Sequence, residues 1–242
     1  MADAPVLQFR DPARARALLA ALERLTAHRS AADPLTVMHV CGSHEQAIAR
    51  FGLRAALPAT LRVIMGPGCP VCVTDAPEVD EAVALADAGL RVATYGDMLR
   101  VPGSARSLDD ARADGARVEV VYGVAQAAAA AAAAPGEPLV FFASGFETTA
   151  VATAAVLLRD PPPNFFVLSA HKYVPPAMEV VAALPETRIE GFLAAGHAAT
   201  ITGWGVFEPF VAHHRIPVVV GGFEPLDILA GFVALAELAR AG

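Results

Sequence analysis

The whole thiol complement of the chain is three cysteines, held in two short glycine-flanked motifs, Cys41-Gly42-Ser43-His44 and Gly66-Pro67-Gly68-Cys69-Pro70-Val71-Cys72. A thiolate is both a soft metal ligand and a redox group, and a Cys-x-x-Cys pair serves in either role. Cys41 and His44 are three apart at the start of a helical stretch, where such residues share a face. A helix N-terminus also favours the thiolate, because its free N–H groups and dipole stabilise negative charge. The plainer reading of Cys41 is a small buried core residue, since cysteine is among the most buried types; Gly42 and His44 beside it shift the balance toward chemistry.

Cys69 and Cys72 bracket Pro70, which fixes its own φ and biases Cys69 away from helix. A stiff turn holding two thiols suits a reversible disulfide or a two-point metal clamp. A closed structural zinc site usually draws on four ligands, and a single Cys-x-x-Cys falls short of that.

Each motif follows an apolar run that reads as a buried strand, Thr36-Val37-Met38-His39-Val40 and Leu61-Arg62-Val63-Ile64-Met65. Further strands are expected near 90–95, 118–122, 138–143, 164–168, 189–194 and 216–220. Helices are expected at 11–28, 44–56, 76–88, 147–158, 175–183, 199–213 and 225–240. This alternation implies parallel βαβ units with right-handed crossovers. The fold class is therefore α/β: two similar lobes, each a mostly parallel sheet flanked by helices, facing across a cleft. The first lobe is drawn at 1–124 and the second at 135–242, joined by an alanine-rich helix at 125–134. Positional similarity supports the division: Cys41-Gly42-Ser43-His44 matches Ser144-Gly145-Phe146-Glu147, and Tyr95-Gly96-Asp97 matches Ala195-Gly196-His197.

Open α/β sheets bind ligands beyond the carboxyl ends of their strands. The polar residues expected there are Asp97, Glu147, His171, Lys172, His197 and Glu224. Taken singly, each is more often a cap or a hydrogen-bonded structural group. Together they line the expected cleft, with Cys41, Cys69, Cys72 and Asp97 on one wall and Glu147, His171 and His197 on the other.

Bulk composition excludes several classes. At 55% hydrophobic and 18% charged the chain is globular rather than disordered. A net charge of -7 with no Lys/Arg block argues against nucleic acid. No run approaches the roughly 20 apolar residues of a membrane span. Asp3, Arg10, Asp11 and Arg14 leave no apolar leader region, so a cytoplasmic protein is expected, in which few cysteines point to metal or redox work rather than a disulfide scaffold.

Seven segments in order resemble the HypD family of hydrogenase maturation factors. They are Cys41-Gly42-x-His44, Gly66 to Thr74, Tyr95 to Ser104, Gly145-Phe146-Glu147-Thr148-Thr149, His171-Lys172 with Val174 to Met178, Gly196-His197, and Gly222 to Leu229. The resemblance implies a scaffold on which the Fe(CN)2CO unit of [NiFe]-hydrogenase is assembled. The partners it implies are a HypC-like chaperone and a HypE-like cyanide donor. It implies that Cys41 holds iron, and that Cys69 and Cys72 bind iron or supply electrons. His44, Asp97, Glu147, His171 and His197 fall in the resembling segments.

Two departures stand out. Gln46 occupies a position where the family usually has histidine, and an amide is a poor metal ligand. The sequence ends at Gly242, where the family continues into a domain carrying a [4Fe–4S] cluster; three cysteines cannot supply a Cys₄ site, so either a truncated form or a natural short relative is expected. Two other functions remain open: a thiol–disulfide oxidoreductase using Cys69 and Cys72, and a non-catalytic docking module for maturation partners.

Overall fold

The computed structural model describes residues 10–241. Asp3, counted above against a leader, lies outside them. In chain order the elements begin with helix α1 (Pro12–Leu25), strand β1 (Leu35–His39), α2 (Gly42–Arg50), α3 (Leu53–Ala56), β2 (Leu61–Met65), α4 (Pro70–Val73), α5 (Ala76–Asp87) and β3 (Arg91–Tyr95). They continue with α6 (Leu108–Ala113), β4 (Val118–Val121), α7 (Val124–Ala132), β5 (Leu139–Gly145), α8 (Glu147–Leu157), β6 (Phe165–His171) and α9 (Val174–Ala182). The last are β7 (Gly191–Ala195), α10 (Gly196–Thr202), a 3₁₀ turn (Trp204–Phe207), α11 (Glu208–His214), β8 (Val218–Gly221) and α12 (Pro225–Ala241).

The fold class is as expected: α/β, with two four-stranded parallel sheets flanked by helices. All eight expected strands form, within a few residues of their expected bounds. Two expected helices are broken by glycine. The stretch 44–56 divides at Gly52, whose φ of 62° is left-handed, and 199–213 divides at Gly203, with φ 79°.

The sheets differ from the expected lobes in membership. One has the order β2-β1-β7-β8 and the other β4-β3-β5-β6. The compact units accordingly comprise the chain through Gly68 together with Val174 onward, and Cys69–Tyr173. The division expected at 1–124 and 135–242 cuts across both sheets, because β1 pairs with β7 and β3 with β5, each across that line. The alanine-rich helix, α7, is no connector: it packs within the second unit, burying Val124, Ala127 and Ala131 against Ala93, Phe141 and Phe165.

Each unit follows the same plan. Its strands, taken in chain order, lie as second, first, third, fourth across the sheet. By sheet position β1 corresponds to β3, and β7 to β5. The turn carrying Cys41 is thus the counterpart of the Tyr95-Gly96-Asp97 turn, not of Ser144-Gly145-Phe146-Glu147 as the sequence pattern had it.

Burial explains which strands are central. All five residues of β1 and of β7 are buried, as are all seven of β5, whereas β2 alternates between buried and exposed positions. In the first unit α1 and α12 cover one sheet face, and Leu22, Ile228, Phe232 and Leu235 pack on Leu35, Val37, Leu61, Val63 and Leu193. In the second, α5 and α6 cover one face through Val79, Val83 and Leu108, and α7 covers the other. Asp11 starts α1 by accepting from the Ala13 amide at 2.7 Å.

Candidate functional site

The order of strands reverses between β1 and β7 in the first unit, and ligands in open α/β sheets bind outside the carboxyl ends of strands at such a point. Cys41 follows β1 and forms the N-cap of α2; Gly196 and His197 follow β7 and open α10. Cys41 Sγ lies 3.7 Å from His197 Nε2. The thiol is buried at 5% exposure, among Ala195, Ala198 and Phe223.

His197 was expected on the wall opposite Cys41. It belongs instead to the same unit, because the strand that delivers it is the hydrogen-bonded neighbour of β1. The reverse holds for Cys69, Cys72 and Asp97, which fall in the second unit with Glu147 and His171.

His44 is wholly buried in the first turn of α2. Its Nε2–H donates to the Gly222 carbonyl at 3.0 Å, with the Gly221 carbonyl at 3.4 Å. That fixes the tautomer and leaves Nδ1 as a buried lone pair with no hydrogen-bond partner among the described residues. Burial first, and then the nearby His39, pull its pKa from 6.5 to about 4, so the ring is neutral at physiological pH. Phe223 stands between the two imidazoles of the site, its ring 4.8 Å from that of His44 and 4.7 Å from that of His197.

The backbone at the site is packed too closely for side chains. Gly42 N–H donates to the Gly68 carbonyl at 3.1 Å. A Cβ on Gly68 would lie 2.6 Å from Cys41 Cα and 2.7 Å from its nitrogen. Glycine at 68 therefore answers to a close approach of two backbone segments rather than to a turn. Gly68 is also the residue just before Cys69.

Two residues of this site escaped the sequence reading. His39 is a wholly buried imidazole in a strand whose other residues, Thr36 apart, are apolar. Its Nε2 is 2.8 Å from Glu45 Oε2 and its Nδ1 3.2 Å from the Cys41 carbonyl. Burial lowers its pKa, while Glu45 and the carbonyl hold the proton. Burial pushes the Glu45 carboxyl up, but the bonds from Arg54 and His39 together bring it below its ordinary value. The other missed residue is Phe223, whose signal was its place directly after Gly221-Gly222 at a strand end.

In the second unit Cys69 forms the N-cap of α4, and the Cys72 and Val73 amides donate to its carbonyl at 3.0 and 3.2 Å. Both thiols are free, Cys72 exposed and Cys69 less so. A hydrogen bond with Cys69, and then burial, raise the Cys72 pKa. Asp97 is exposed in the turn after β3. Glu147 is 6% exposed at the first position of α8, after Gly145 at the end of β5. His171 ends β6 in register with Gly145, its Nδ1 3.0 Å from Ser169 Oγ, and burial lowers its pKa. Lys172 pairs with Glu78 at 2.6 Å, and its backbone N–H donates to the Gly145 carbonyl. Glu224 belongs to the first unit, where a two-pronged ion pair with Arg10, at 2.7 and 2.9 Å, lowers its pKa. Among the described residues no group of three or more His, Cys, Asp or Glu is arranged to hold a metal ion. None of the described helices is long and apolar enough to cross a membrane.

Two parallel α/β units of one topology, with a thiol–imidazole pair at a strand switch point and a Cys-x-x-Cys on a short helix, define a thiol-bearing two-unit α/β protein. The model of the family described as HypD, hydrogenase formation hypA family, matches residues 14–242, and the chain belongs to that family. It is 41% identical over 245 residues to the hydrogenase maturation factor HypD of Azotobacter vinelandii, covering 97% of this chain and 64% of the relative. It is likewise 41% identical over 245 residues to the hydrogenase expression/formation protein HupD of Azotobacter chroococcum, with the same coverage. To the maturation factor HypD of Escherichia coli it is 38% identical over 237 residues, covering 95% of this chain and 63% of the relative. The chain thus spans a little under two thirds of the length of these curated relatives.

Proposed function

We infer that the chain acts in hydrogenase maturation as a scaffold that holds iron while the Fe(CN)2CO unit is assembled on it. The observation that carries this reading is the pairing of Cys41 Sγ with His197 Nε2 at 3.7 Å. Metal–sulfur and metal–nitrogen bonds of about 2.3 and 2.1 Å at a tetrahedral angle separate the two donors by about 3.6 Å. The pair therefore stands at the spacing of two ligands on one ion, and the iron is cargo that leaves with the product. Its other positions stay open to diatomic ligands and to a HypC-like chaperone, with cyanide brought by a HypE-like donor.

In this reading Cys41 is the iron thiolate and His197 its neighbour. His44 and Phe223 wall the site, and the buried neutral imidazole keeps positive charge away from the iron. Cys69 and Cys72 serve as further thiolates or as an electron-supplying pair; their shared hydrogen bond and the exposure of Cys72 favour the redox role. His171 ends β6, and Asp97 and Glu147 follow the ends of β3 and β5, on the side of a parallel sheet where ligands are handled. The work is taken to occur in the cytoplasm, whose reducing poise keeps these cysteines as thiols.

The test is anaerobic purification with ferrous iron, alone and with a HypC-like chaperone, followed by measurement of iron per chain and of cyanide and carbonyl stretching bands. Retained iron that is lost in Cys41→Ala supports the scaffold. An iron-free complex with the chaperone favours a docking module, and turnover of a generic disulfide favours an oxidoreductase.

A further inference from the structure

His39 sits two residues before Cys41 on β1, and both of its ring nitrogens are engaged. A carbonyl and a carboxylate both only accept, so the ring that makes both contacts carries a hydrogen on each nitrogen: Nδ1–H donates to the Cys41 carbonyl at 3.2 Å and Nε2–H to Glu45 at 2.8 Å. On the other side Nε2 meets Glu45, which takes the Arg54 Nη2 through both of its oxygens at 2.9 and 2.7 Å. Arg54 also donates through Nη1 to the Val63 carbonyl of β2. Residues of α3, α2 and β1, anchored on β2, thus form one continuous relay that ends on the peptide of Cys41.

Stability gives little reason for this relay. Burying an imidazole against a carboxylate has a desolvation cost that an apolar residue of similar volume avoids. The neighbouring strand positions, Val37, Met38 and Val40, are apolar and buried. The end of the relay is also where backbone structure leaves slack. Cys41 caps α2 without any side-chain cap bond, and the helix's own contact to its carbonyl, from Glu45 N, is long at 3.4 Å. The His39 contact at 3.2 Å is the closer of the two.

We propose that His39 is a positioning residue: backed by Glu45 and Arg54, it fixes the Cys41 peptide and so aims the Cys41 thiol at His197. The assignment rests on the reading of Cys41 as the working thiol. Its test uses a readout that needs no iron, so that the two ideas fail separately.

In a Cys69→Ser/Cys72→Ser background Cys41 is the lone thiol, and its alkylation by iodoacetamide is followed well below the unfolding transition. His39→Leu is expected to raise the rate about tenfold, the order of effect of one buried hydrogen bond. His39→Asn presents an N–H where Nδ1–H stands and is expected to return the rate to within about twofold of the parent. His39→Gln, which reaches toward Glu45 instead, should label like His39→Leu. A merely structural role would lower the melting temperature of all three without separating Asn from Gln. Equal labelling of Asn and Leu, or labelling of Leu at the parent rate, overturns the proposal. Should His39→Leu fail to fold, Glu45→Ala decides, because Glu45 is partly exposed and its truncation leaves the core filled. Faster labelling is expected there, and the parent rate would overturn the assignment. Cobalt(II) titration of the parent, read by its thiolate charge-transfer band, reports separately on whether Cys41 holds metal at all.

Discussion

Cys41 Sγ and His197 Nε2 stand 3.7 Å apart although 156 residues separate them in the chain. The contact exists because β1 and β7 are hydrogen-bonded neighbours, in register from Val37 with Gly191 to His39 with Leu193. Each strand then turns directly into a helix through a glycine, Gly42 in one case and Gly196 in the other.

Removing either member of the pair should release iron and spare the fold. Cys41→Ala deletes one sulfur, far less than the leucine-sized truncations that cost roughly 2–5 kcal/mol. His197 is exposed, so His197→Ala should shift the unfolding midpoint little. Iron per chain after gel filtration, measured beside urea unfolding, checks both. Native stoichiometry in either variant would count against that residue.

Gly68→Ala should be markedly destabilising, by roughly 1–3 kcal/mol or more, because the new Cβ meets the backbone of Cys41 and Val40 at 2.6 to 2.9 Å. Gly66→Ala offers the control. Its Cβ would meet the Met38 side chain, with Sδ at 2.3 Å, and a flexible thioether can move aside. Urea denaturation should therefore rank Gly68→Ala well below Gly66→Ala. The opposite order would show that the approach of Gly68 to Cys41 is not rigid.

Acid should weaken the first unit through His44. Its folded pKa of about 4 lies below the unfolded value of 6.5, so the unfolded chain binds the extra proton first. Stability from this group is complete above pH 6.5, falls as the pH drops toward 4, and levels off below. The 2.5-unit gap corresponds to something on the order of 3 kcal/mol. His44→Gln keeps a donor for the Gly222 carbonyl and cannot charge. Its unfolding free energy should depend less on pH between 6.5 and 4 than that of the parent; parallel curves would refute the assignment.

Cys72 should react slowly for an exposed thiol. The bond with Cys69 raises the Cys72 pKa, so iodoacetamide at mildly alkaline pH should label Cys72 more slowly in the parent than in Cys69→Ala, although Cys72 is exposed. Mild oxidation should remove two hydrogens from the intact mass, and peptide mapping should join Cys69 to Cys72. Equal labelling of Cys72 in the parent and in Cys69→Ala, or an unchanged mass, would remove the support for a redox pair.

The local elements were legible in the sequence, and so was the chemistry at their ends. Val37, Phe141 and Leu193 sit in apolar runs bounded by glycine and proline, and such runs form strands where they are buried on both faces. The cysteine motifs fall at strand ends: Gly66 and Pro67 follow β2 directly, and Gly42 and Pro70 open the helices that come next. Short helices such as α4 and α6 were missed, since four and six residues carry too little periodicity to see. Sheet membership was decided only in three dimensions. β1, β5 and β7 are buried along their whole length, so nothing in their composition says which neighbour each will take. Their partners are chosen by backbone hydrogen bonds between distant segments and by the helices that cover each sheet. A reading by chain order therefore set His197 apart from Cys41, whereas the pairing of β1 with β7 brings the two into contact. His39 shows the same limit: a histidine in a mostly apolar strand looks like noise until Glu45 and the Cys41 carbonyl are seen on its two nitrogens.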